Sequence, residues 1–147
     1  MHQVSAGFVS GAVSGVVMGL ISDILFRLHI FKSSLIAIDG SFLLRTLKLK
    51  DSARLCYATG LFIHLITSGV FGATYITGTM LFGFDGLLFG LVCLYVTILW
   101  LSMLFIAMPI AGEGLLGRRS GPFTWIEQFF LHAVFCAIYY LCLRWSI

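Results

Sequence analysis

His64 and His132 are histidines set inside long apolar runs, while Asp23, Glu113 and Glu127 are carboxylates at or near the ends of such runs. Ionisable groups in hydrocarbon are costly and mark sites or pathways, so these five side chains are the natural starting point. Three chemistries suit them. Imidazoles on facing helices can ligate a b-type haem axially, with Gly60 and Ala133 leaving space beside His64 and His132. The two histidines with a carboxylate are also the ligand types of a Zn or Fe site, although no short-range spacing motif supports one. Asp23, Glu127 and the histidines are equally the parts of a proton relay, yet nothing continues it into the other leaflet. No nucleophile with an oxyanion loop, Walker sequence or dinucleotide fingerprint is present, so the residues predict no enzyme activity and no metal centre.

The elements that must position these residues are membrane helices. Hydrophobic residues make up 60% of the 147 and charged residues 10%, with a mean hydropathy of +1.06. A soluble domain carries about 25% charged residues. Four apolar runs, 5–26, 55–78, 86–111 and 124–143, reach the roughly 20 residues a spanning helix needs. The expected fold is all-α: one transmembrane domain over 1–147, a bundle of four spans with a connecting loop at 27–54. His64 and His132 then lie about nine and eight residues into their spans, roughly 13 and 12 Å deep at 1.5 Å per residue, at one level. Asp23, Glu113 and Glu127 fall on the same side, which predicts a shared polar pocket.

Charge orients the bundle. Arg27, Lys32, Arg45, Lys48, Lys50 and Arg54 lie between the first two runs and Arg118 and Arg119 between the last two, leaving only Arg144 elsewhere. The positive-inside rule makes both basic stretches cytoplasmic and puts both termini outside. The first run lacks a basic leading region and reads as a retained span rather than a signal peptide. Within 27–54, Phe42, Leu43, Leu44, Leu47 and Leu49 interleave with the basic residues, predicting an interfacial amphipathic helix against anionic headgroups or a cytoplasmic partner. The net charge of +3 reflects these loops and implies no nucleic-acid partner.

Gly7, Gly11, Gly15 and Gly19 recur every fourth residue, a groove where another helix can approach closely. Pro109, followed by Gly112, Gly114 and Gly117, should end or kink the third span and open a flexible loop. Cys56, Cys93, Cys136 and Cys142 form no CxxC pair and read as small apolar fillers. Trp125 and Trp145 suit the aromatic belt, whereas Trp100 is deeper and packs on core, lipid or a cofactor.

The order of features, GLFIHLITSGVFGATY in the second span, GLLFGLVCLYVTILWLSMLFIAMPIAGEGLLG in the third and LHAVFCAIYYL in the fourth, resembles small four-span bacterial inner-membrane proteins of the YagU-like type. The resemblance implies four helices, a bacterial inner-membrane location and positions of interest at His64, Pro109, Gly112 and His132. It supplies no reaction. Cys136 stands where such proteins often carry a smaller residue.

The leading functional expectation is a non-enzymatic accessory or scaffold subunit whose small-residue and apolar faces pack against other membrane subunits and lipids. The alternatives are an electron-transfer subunit in which His64 and His132 hold haem b near a quinone, and a small proton-coupled transport or channel component.

Overall fold

The computed structural model of the chain describes residues 2–50 and 52–147, with Met1 and Asp51 outside the described residues. Inside hydrocarbon every backbone N–H and C=O must bond within the protein, so a long apolar run adopts a helix. Four helices long and apolar enough to cross a membrane result: α1 (His2–Arg27), α3 (Ala53–Phe82), α4 (Phe89–Ala111) and α5 (Thr124–Ser146). A shorter helix, α2 (Leu35–Thr46), lies between α1 and α3 in the chain. The protein is an all-α integral membrane bundle of four transmembrane helices. α4 starts later than the apolar run does because residues before it form the turn. Gly83, at φ +68°, closes α3, and the Asp85 carboxylate accepts the Leu87 N–H at 2.8 Å.

α1 has two unlike faces. Val9, Val13, Val16 and Leu20 are exposed on one side, while Gly7, Gly11, Gly15 and Gly19 are buried on the other. In lipid, aliphatic side chains gain little by turning inward, so close backbone approach drives the pairing. The four glycines face α3: a Cβ on Gly7 would lie 2.8 Å from the Gly72 carbonyl oxygen, and one on Gly11 3.0 Å from the Gly72 Cα. Tyr139 of α5 is fully buried and donates its hydroxyl to the same Gly72 carbonyl at 2.7 Å. Its ring meets Tyr75 edge-on at 5.8 Å and stacks on Phe135 at 5.7 Å. Tyr95 ties α4 to α3 through the Phe71 carbonyl at 2.8 Å.

α2 differs from the helix expected in segment 27–54. Leu35, Ile36, Ile38 and Leu44 are buried, and Gly40 lets α2 meet α3 at Gly60, where a Cβ would lie 3.0 Å from the Gly40 nitrogen. Leu47 and Leu49 follow the end of the helix and are exposed. The apolar face counted in the sequence is therefore divided: its first part docks on the bundle and its last part leaves the helix. The Ser22 hydroxyl of α1 accepts the Leu35 N–H at 2.9 Å, fixing where α2 begins.

The distortion expected at Pro109 falls just before it. Residues Met103–Ala107 form a π-turn, in which the Met108 N–H bonds five residues back to the Met103 carbonyl. Proline has no N–H, and its ring presses on the carbonyl four residues earlier; the wide turn relieves that conflict. The helix passes through Pro109 and closes at Gly112, whose φ of +89° suits a residue without a Cβ.

Candidate ligand-binding cavity

His64 and His132 border one cavity of about 320 Å³ between the helices, together with Asp39, a residue absent from the expected site. His64, on α3, is 5% exposed, and its ring fits because α1 offers glycine there: a Cβ on Gly19 would lie 3.3 Å from the imidazole. Its Nδ1 meets the Asp39 carboxylate at 2.7 Å and its Nε2 meets the Gly15 carbonyl at 3.0 Å. A carbonyl only accepts, so Nε2 carries a proton. The contact with Asp39 needs a second proton, held by the ring or the carboxyl group. Either way the pair is neutral overall, the form in which a low-dielectric interior tolerates it.

His132 stands differently. Its Nδ1–H donates to the Gln128 carbonyl of its own helix at 2.8 Å. In the neutral ring this leaves Nε2 with a lone pair, and no donor reaches it among the described residues. The same imidazole also borders a second hollow of about 260 Å³ between α4 and α5.

The other carboxylates do not join the histidines. Asp23 pairs with Arg27 one turn along α1 at 2.7 Å. Glu113 accepts from the Ser120 hydroxyl within the loop after α4. Glu127 accepts the Lys32 N–H at 3.0 Å and the Ser33 hydroxyl at 3.1 Å, fastening the α1–α2 connection to α5. The structure thus gathers His64, Asp39 and His132 in place of the expected five residues, because Asp23 and Glu113 find donors close by in their own segments and Glu127 finds them on the α1–α2 connection. Among the described residues none of these bonds links Asp23, Glu113 or Glu127 to a histidine.

The haem alternative fits poorly. An axial ligand needs an unprotonated ring nitrogen, and in His64 both nitrogens are engaged by oxygen partners. Among the described residues no group of three or more His, Cys, Asp or Glu side chains converges on a point that would hold a metal. Trp100 packs edge-on against Phe129 at 5.2 Å and donates to the Trp125 carbonyl at 3.3 Å.

Most of the cavity's polar atoms share one character. Thr67 donates its hydroxyl to the Ile63 carbonyl at 2.7 Å and Ser102 to the Ile98 carbonyl at 2.9 Å. With the His132 and His64 protons also committed, these groups turn lone pairs rather than protons toward a ligand; Ser68 is the lining hydroxyl whose proton has no such partner among the described residues. The remaining walls are apolar, with Phe42, Phe71, Phe135, Leu99 and Met103 prominent. Sequence reasoning missed Asp39 because its segment read as a surface helix. The signal was present in Leu35, Ile36, Ile38 and Gly40, which surround Asp39 with core-like residues.

Comparison with known proteins returns no matching family model, no curated relative and no similar solved structure. What fold and site define is a four-span membrane bundle with a neutral histidine–carboxylate pair beside an apolar cavity.

Proposed function

We propose that this protein is a membrane-embedded accessory subunit that binds a lipophilic molecule carrying a hydroxyl group, such as a quinol, phenol or long-chain alcohol. One observation carries the reading: an apolar cavity whose imidazole, carboxylate and hydroxyl groups chiefly offer acceptors, with His132 Nε2 unpaired. Such a site favours a hydrogen-bond donor and disfavours a second acceptor, which would leave both groups unsatisfied. The scaffold reading contributes the setting, a subunit among other membrane proteins and lipids. Its small-residue argument is weaker, since the α1 glycines are occupied by α3. The bacterial inner membrane, the outward termini and the resemblance to YagU-like proteins belong to the same proposal.

The test is binding in lipid nanodiscs of a decyl-substituted benzoquinol and its di-O-methyl ether. Loss of the donor should weaken binding about tenfold, the equivalent of one ligand hydrogen bond. His132→Leu should produce the same loss with the quinol and little change with the ether. Equal affinity for both ligands, or no saturable binding, would overturn the reading.

A further inference from the structure

The second hollow holds a different chemistry. Cys93 of α4 and Cys136 of α5 place their sulfurs 3.7 Å apart, and both line it. A disulfide needs about 2.05 Å, so closing the gap takes a movement of roughly 1.7 Å, within reach of side-chain rotation and a small helix adjustment. The other thiols are differently placed. Cys56 bonds to the Ala37 carbonyl at 3.3 Å, and Cys142 has no sulfur neighbour among the described residues.

Two features suit this pair to electron exchange. His132 lies one helical turn before Cys136 and borders the same hollow, offering an unpaired Nε2 as proton acceptor. The rim residues Phe89 and Phe129 are 51% and 53% exposed, on a surface that faces lipid in a four-span bundle, while Ala133 and Ala137 leave room for a flat ring. An oxidant reaching this place must dissolve in hydrocarbon and take up two electrons with two protons. Quinones are the chemical class that does both.

We propose that Cys93 and Cys136 form a redox-active dithiol, which a lipid-soluble quinone entering the second hollow oxidises to a disulfide bridging α4 and α5. His132 Nε2 removes the Cys136 proton, and the thiolate bonds to the quinone. The Cys93 sulfur then attacks Cys136 Sγ; the S–S bond forms as the sulfur–quinone bond breaks, and the electron pair leaves on the ring. The reduced ring takes both thiol protons, one by way of His132. Two thiols and one quinone give one disulfide and one quinol. The inference uses the second hollow, which shares His132 and no other lining residue with the first cavity.

The experiment uses the full chain, reduced and held without oxygen in nanodiscs, with decyl-benzoquinone as oxidant. Quinol should appear at one per chain by absorbance, the protein should lose the mass of two hydrogens, and peptide mapping should join Cys93 to Cys136. Cys93→Ser and Cys136→Ser should each abolish quinol formation with the bundle's helicity retained, whereas Cys56→Ser with Cys142→Ser should leave it intact. His132→Gln should slow it about a hundredfold, the lower end of what loss of a positioned proton acceptor costs. Ser102→Leu, which narrows the first cavity, should weaken quinol binding there yet spare oxidation, separating this inference from the binding proposal. Persistently alkylatable thiols, a lasting sulfur–quinone adduct, or a disulfide formed only with water-soluble oxidants would overturn it.

Discussion

Asp39 and His64 meet at 2.7 Å although they belong to different helices, and the contact holds α2 against the transmembrane bundle. Asp39→Ala should lower stability by about 1.5–3 kcal/mol, the range for a hydrogen bond to a charged group, because His64 stays buried without its partner. Asp39→Asn should cost less, since its amide N–H can donate to the Nδ1 lone pair of a neutral His64 ring. Asp23→Ala, at the exposed Arg27 pair, should leave the melting temperature unchanged. Thermal unfolding in one detergent compares all three, and equal losses would remove the special role of Asp39.

The α1–α3 contact leaves no space for a methyl group at its centre. Gly11→Ala should destabilise by about 1–3 kcal/mol through overpacking. Gly90→Ala, where an added Cβ meets nothing within 4 Å, should be neutral or slightly stabilising. Denaturant-dependent helix loss in micelles measures both.

Glu127 fastens the α1–α2 connection to α5 through Lys32 and Ser33. Glu127→Ala should therefore raise hydrogen exchange at residues 32–35 while protection in the centre of α5 persists. Unchanged exchange would mean that Ser22 and Ser34 suffice to hold the start of α2.

Four crossings place both termini on one side, opposite Arg118 and Arg119. In a cysteine-free background, Ser146→Cys should react with an impermeant maleimide in intact cells, and Arg118→Cys only after lysis. The reverse pattern would overturn the proposed orientation.

The spans were legible because twenty-residue apolar stretches have one structural outcome in hydrocarbon. The faces of the spans were partly legible too: fourfold glycine spacing marks a helix surface whatever it packs against. The partners of the polar residues were not. Distance along the membrane normal puts Asp23, Glu127 and the histidines in the same half of the membrane but says nothing of rotation about each helix, and rotation decides who meets whom. Asp23 and Arg27, four residues apart, satisfy each other along one helix. Asp39 was overlooked for the opposite reason, since its partner belongs to the next helix and only the docking of α2 brings it near.

The π-turn in α4 has a consequence for the whole span. At about 100° per residue, an uninterrupted α-helix would turn Met108 roughly 160° from Val92. Instead Val92 and Met108 are both fully buried, while Ile110 is 43% exposed. The one extra residue accommodated at Met103–Ala107 resets the helix's phase, so α4 consists of two half-helices that keep different inward columns. Deleting a single residue there would turn the wide turn into an ordinary α-turn and keep Val92 and Met108 on one side, whereas straightening the turn with every residue in place would rotate everything beyond it by about 100° and carry Met108 out of the interior.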